Sequence, residues 1–167
     1  MTHRHLLILS LLTPLSVAAQ APSVSAVLNA ATMQAGAITA GSQALLSGAN
    51  LGPSASASSF PLPTTLGGTT VTINGRSAPL LTISANQILS QAPWELTPGP
   101  ASIVVTSNGV PSTAFNASVA AISPGIFTSG NLQIQHADTS PVNASNPATA
   151  GETIVAYAVG LGAVSNP

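Results

Sequence analysis

The chain has 167 residues, of which two are basic and three acidic, while 45% are hydrophobic and 3% aromatic. With Arg76 the one Lys or Arg beyond Arg4, it cannot neutralise a phosphate backbone, which excludes nucleic-acid binding. The apolar fraction and near-zero net charge exclude a disordered polyelectrolyte, and 14 Gly plus 14 Pro with so little Glu, Lys and Arg exclude a coiled coil or helical bundle. There is no cysteine, so the core alone must hold the fold.

Taken in chain order, residues 1–19 read as a secretory signal. His3-Arg4-His5 is a short basic start, Leu6 to Leu12 an apolar core, and Val17-Ala18-Ala19 the small residues a signal peptidase accepts, with cleavage expected after Ala19. The apolar stretch is shorter than the ~20 residues a bilayer span needs. Later apolar runs are interrupted by Pro, Asn, Ser and Thr, so no membrane span is expected in the mature chain. The expected address is extracellular or at the cell surface, with the periplasm as the variant.

Strand signals follow. Val24–Leu28 and Gln43–Ser47 are β-type runs, the second closed by Gly48-Ala49-Asn50-Leu51-Gly52-Pro53, and residues 54–68 read as a loop rich in Ser, Ala, Pro and Gly. Val71–Ile73, Asn74-Gly75 and Ala78–Ile83 spell a hairpin, because a type I′ turn needs positive φ at both central positions. The device recurs as Ile103–Thr106, Asn108-Gly109 and Thr113–Val119, with a strand at Gln87–Ala92 and a Pro98-Gly99-Pro100 turn between. Short strands with turns every ~8–12 residues predict an all-β, antiparallel sandwich over residues 20–122.

Ser123-Pro124-Gly125 marks a boundary, followed by strands expected at Leu132–His136 and Thr153–Ala158. Gly41–Gly52 can be laid over Gly151–Gly162 with an offset of 110 and three identical positions, Gly41/Gly151, Leu51/Leu161 and Gly52/Gly162. Residues 123–167 are therefore expected to be a linker and the start of a second, similar unit. Such a unit could not bury its own face, so the expectation is a truncated chain with neighbouring domains, or a tail packed on the first unit.

Several segments together carry a resemblance. They are Val27-Leu28-Asn29-Ala30-Ala31, Gly48–Gly52, Leu66-Gly67-Gly68 with Val71–Gly75, Ala78-Pro79-Leu80, and Ile88 with Gln91–Leu96. Pro98-Gly99, Val104–Thr106 with Asn108-Gly109, Ser123–Phe127, and Tyr157 with Gly160–Val164 complete the set. In this combination the chain resembles, over roughly residues 24–165, the acidobacterial, Solibacter-type C-terminal domain family of secreted proteins, related to the IPT/TIG domains. The resemblance implies an immunoglobulin-like sandwich outside the cell, appended to other domains, and no catalytic residues. The chain departs from that family by stopping soon after the Gly-Leu-Gly segment.

No reaction centre is expected. Gly160-Leu161-Gly162-Ala163-Val164-Ser165 partly mimics a dinucleotide loop, but lacks the helix and the later acidic residue, so it is read as a turn and no cofactor is implied. His136 and Asp138 are two apart, which suits an ordinary surface contact on one strand face; no Gly-x-Ser-x-Gly elbow accompanies them. Glu95, Asp138 and Glu152 are too dispersed for a Ca²⁺ cage of about 6–8 oxygens. Asn116-Ala117-Ser118 and Asn143-Ala144-Ser145 match the N-glycosylation pattern by chance, given the bacterial resemblance. Arg76, just past a hairpin turn, is expected to be a solvated edge residue, and Glu95 to bond a loop amide.

Trp94 is the one candidate ligand contact. It is the single tryptophan, and beside Pro93 it is expected to plug the end of the core. Exposed, it would instead stack on a sugar ring, with Phe60, Phe115, Phe127 and Tyr157 as the other aromatics available. Two functions follow. One is a non-catalytic spacer or surface-adhesion module with a protein or glycan partner; the other is a carbohydrate-binding module of a secreted multidomain protein. Uncharged strands rich in Val and Thr also suggest pairing with a partner strand at an open edge.

Overall fold

The structure, a computed structural model, describes residues 20–128 and 134–162. The signal expected at 1–19, the start of the strand expected at 132–136 and the end of the Gly160–Ser165 segment lie outside the described residues. Within them the chain is all-β, without helix.

Two sheets share one core. The first contains β1 (Ser23–Asn29), β3 (Gln43–Ala49), β9 (Gln87–Gln91), β8 (Leu80–Ile83) and β4 (Ala55–Ser56), in the order β1-β3-β9-β8-β4. The second runs β2 (Ile38–Thr39), β12 (Phe115–Ala120), β10 (Gly99–Ser107), β6 (Thr69–Ile73) and β5 (Thr65–Leu66). Off that path, β7 (Arg76–Ser77) pairs with β6 and β11 (Val110–Pro111) with β10. Pairing is antiparallel except between β2 and β12, and the second sheet is curled.

Alternation decides which faces go inward. In β6, Thr69, Val71 and Ile73 are buried, and in β10, Ala101, Ile103 and Val105 are, because successive side chains leave a strand on opposite faces. They meet Leu46, Leu80 and Ile88 from the first sheet in one cluster. At about 25 cal/mol per Å² of apolar area removed from water, this shared cluster is the main stabilising term.

Both Asn-Gly turns form, but the first closes on the two-residue β7, and the Ala78–Ile83 run expected as its second strand crosses to the first sheet, where it supplies β8 between β9 and β4. Asn74 and Gly75 have φ of 50° and 75° between Ile73 and Arg76, and Asn108 and Gly109 have 49° and 81° between Ser107 and Val110. The loop expected over 54–68 is partly strand. Gly67 and Gly68, both at positive φ, close a third two-residue hairpin that pairs Leu66 with Thr69. Its turn chemistry was hidden in a Ser/Ala/Pro-rich context. β2 was also unforeseen: a two-residue parallel strand exists only because β12 lies beside it.

Beyond residue 122 the described strands are short. β13 (Gly125–Ile126) pairs with β16 (Ala158–Val159), and β14 (Gln135–His136) with β15 (Ile154–Val155). No strand ladder among the described residues joins these to β1–β12. The strand expected at 153–158 is thus split in two, as its residues lack the flanking strands that hold β3 straight.

Candidate functional site

Trp94 does not plug the core. It is 74% exposed. The turn after β9 explains why. Ala92 and Leu96 on either side are buried, Ala92 N donates to Ser42 O at 2.8 Å, and Gly41 N donates to Ala92 O at 3.1 Å. The backbone is therefore fixed on both flanks, and the indole between them points to solvent. Glu95 does not bond a loop amide; it forms an ion pair with Arg76 at 3.7 Å, so Arg76 is exposed but partnered. An exposed pair of this kind contributes little to stability.

The indole lines a groove of about 630 Å³. The β4–β5 loop brings Phe60, 86% exposed, and Leu62 to the same groove; that loop is held by Ala57 N to Leu81 O and Leu80 N to Pro63 O, both 2.8 Å. Leu161 closes another side. None of the lining residues is charged. Ser42, Gln43 and Gln91 supply the polar groups, and the Gln91 side-chain amide is oriented by donating to Gly41 O at 3.0 Å. Rigid aromatic faces with a few oriented amides and hydroxyls suit a neutral ligand that stacks and hydrogen-bonds. By sequence Phe60 is only one of several aromatics; its place between Ser59 and Pro61 in a turn-rich stretch is the signal for its exposure.

The titratable residues lie elsewhere. His136 ends β14, so the same-face geometry expected with Asp138 does not arise. Its Nδ1 pairs with Glu152 Oε1 instead, and its Nε2 lies 3.2 Å from Asn146 O. Those two contacts hold the imidazole pKa above its ordinary value, the Glu152 bond being the larger cause. Glu152 is held below the usual carboxylate range, first by the Thr149 amide at 2.8 Å, then by the Thr149 hydroxyl at 2.7 Å and by His136. Asp138 is lowered by the hydroxyl and amide of Ser140, at 2.6 and 2.9 Å. Each carboxylate is occupied by local turn bonds, and no hydroxyl nucleophile is held by His136. Glu95 is not part of this group; its partner is Arg76. Among the described residues no three His, Cys, Asp or Glu side chains could hold a metal, and no helix is long and apolar enough to cross a membrane.

Of two smaller motifs, the one at Asn143 is a turn device, and at the other Gly160 makes a close backbone approach. Asn143 Oδ1 accepts from the amides of Ser145 and Asn146 at 2.8 and 3.0 Å. Gly160, at φ 76°, passes so close to Ser123 that an added Cβ would lie 1.9 Å from its carbonyl oxygen. No protein-family model matches the chain, and no curated protein is significantly similar to it.

Proposed function

We propose that this chain is a non-catalytic, exported immunoglobulin-like module, of IPT/TIG type, that works by contact as a spacer or adhesion unit at the cell surface. What supports the architecture is one core shared by two mainly antiparallel sheets, together with the family resemblance. The observation that carries the contact role is the pair Trp94 and Phe60, both large, both exposed, on one uncharged groove. Exposed apolar surface of this kind marks a place where something docks.

The exposure of Trp94 also favours a second reading, in which the groove binds a neutral glycan and the chain is the carbohydrate-binding module of a larger secreted protein. As the single tryptophan, Trp94 makes intrinsic fluorescence a site-specific reporter. A panel of neutral oligosaccharides is titrated against the purified chain. A shift in Trp94 emission that is lost in Phe60→Ala supports glycan binding. No response to any glycan, with Trp94-dependent adhesion to a protein-coated surface, supports the adhesion role alone. A hydrolytic activity lost in His136→Ala would overturn both. Export is checked by N-terminal sequencing of the secreted chain, with Gln20 expected as first residue.

A further inference from the structure

The segments related by the offset of 110 have the same pairing register on one edge and differ on the other. In the first unit Ala49 pairs with Ser23 and Gly48 with Val24. Beyond residue 122, Val159 pairs with Gly125 and Ala158 with Ile126, the same two positions of the later segment. On its second edge β3 carries β9, from Gln43↔Gln91 to Ser47↔Gln87, continued by Gly48 N to Asn86 O and Leu51 N to Ala85 O, both 2.9 Å. Among the described residues β16 has no second neighbour. Phe127 N donates to Tyr157 O, so Ile126 and Ala158 form the non-hydrogen-bonded pair and the Ala158 amide points to the second edge, as that of Gly48 does; among the described residues the Leu161 amide has no backbone acceptor.

Burial follows the same division. Ala44, Leu45 and Leu51 are buried, Leu51 at 0% exposure, whereas their counterparts Ile154, Val155 and Leu161 are exposed, Leu161 at 71%. An open edge next to bare apolar side chains is a template for strand addition. The first unit shows what covers that position: an uncharged antiparallel strand, Gln87–Gln91, that turns Ile88 and Ser90 inward.

We propose that the edge of β16 opposite β13 is a strand-acceptor site for an extended, uncharged segment of a partner polypeptide with apolar residues in the pattern of β9. The segment lies antiparallel to β16, accepts hydrogen bonds from Ala158 N and Leu161 N, and covers Val155 and Leu161. This edge borders the Trp94 groove, since Ala158 and Leu161 also line it, but the proposal does not rest on a ligand bound there.

The test is a titration of the ¹⁵N-labelled chain with a synthetic peptide of residues 84–92, Ser-Ala-Asn-Gln-Ile-Leu-Ser-Gln-Ala. Binding is expected to shift the Ala158 and Leu161 amides and slow their hydrogen exchange. Placing Lys at the Ile88 position of the peptide is expected to abolish it. Ala158→Pro in the chain removes one donor and is expected to weaken binding about tenfold or more, roughly the loss of one well-made bond and its neighbours' alignment. Leu161→Ser removes the apolar cover while keeping every amide, and is also expected to weaken binding. The proposal is overturned if the peptide leaves both amides unchanged. It is equally overturned if both variants bind like the parent chain, or if the chain alone self-associates and protects the same amides.

Discussion

The side-chain amide of Asn29 donates to the carbonyl of Ser123 at 2.9 Å, across 94 positions of sequence. The same side chain accepts, through Oδ1, from the amides of Ala31 and Thr32 at 2.9 and 3.2 Å. One residue at the end of β1 thus caps its own turn and ties the first sheet to the point where the later strands begin. Because Gly125 has no Cβ, Asn29 fits beside it; a Cβ there would meet Asn29 Oδ1 at 2.5 Å.

Asn29→Asp keeps the turn acceptor and removes the donor. It is expected to raise the rate of proteolytic cleavage near Ser123 and of amide exchange in β13, with a loss of global stability of about 1 kcal/mol or less. Limited proteolysis followed by mass mapping checks this. Cleavage at 123–128 that is unchanged would show that Asn29 serves only its own turn.

His136 and Glu152 give the 134–155 segment a pH window. With Nδ1 on a carboxylate and Nε2 on a carbonyl, both ring nitrogens donate, which requires the imidazolium. The His136 pKa is raised, so its contribution is complete below the ordinary 6.5 and is lost as pH rises through the raised value. The Glu152 and Asp138 pKa values are lowered, so their contributions are complete above the ordinary carboxylate values and are lost as pH falls through the lowered ones. The pairing is therefore tightest in mildly acidic solution. Glu152→Gln is expected to bring the His136 titration, followed by NMR, back toward 6.5. A titration that does not move would remove Glu152 as the cause.

Leu51 and Leu161 align in the overlay of Gly41–Gly52 on Gly151–Gly162, yet one is fully buried and the other exposed. Leu51→Ala is expected to cost about 2–5 kcal/mol in denaturant unfolding, the range for a core leucine. Leu161→Ala is expected to stay within about 0.5 kcal/mol, as for a surface site. Equal costs would mean that Leu161 is covered in solution.

Thr39 carries the one buried side-chain oxygen without a partner among the described residues. It sits in β2, beside β12, and its own carbonyl accepts from the amide and hydroxyl of Ser42 at 3.1 and 2.7 Å. A buried hydroxyl with no bond loses its hydration for nothing in return. Thr39→Val is nearly the same shape and is expected to stabilise the fold by about 1 kcal/mol, visible as a higher thermal midpoint. A drop of that size would show that the hydroxyl is bonded in solution.

What could be read from the residues alone was whatever is decided locally. Asn74-Gly75 and Asn108-Gly109 impose positive φ wherever they stand, and Val71 and Ile73 alternate regardless of what they face. Gly67-Gly68 has the same turn chemistry, but a surrounding low-complexity stretch masked it. Long-range contacts were not legible. Nothing within the residues near His136 announces that Glu152, 16 positions on, rather than Asp138, is its partner, because β14 stops at His136 and Thr139 turns at φ 71°. Asn74 is a similar case. Its turn role was plain, but its side chain also clamps β10, through Ser102 N at 2.8 Å and Pro100 O at 3.2 Å, and only the pairing of β6 with β10 brings those groups within reach.

Trp94 shows the same limit at the candidate site, and gives the most direct check of it. A lone tryptophan beside a proline at the end of a strand is usually a core residue, since burying its large ring is favourable. Here Ala92 and Leu96 take the buried positions on either side, and the ring is left on the groove with Phe60. Its emission is accordingly expected to resemble that of indole in water and to be quenched efficiently by acrylamide. Trp94→Ala is expected to change stability by no more than about 0.5 kcal/mol. A blue-shifted, quencher-resistant emission, or a loss of several kcal/mol on substitution, would return Trp94 to the core and close the groove as a binding site.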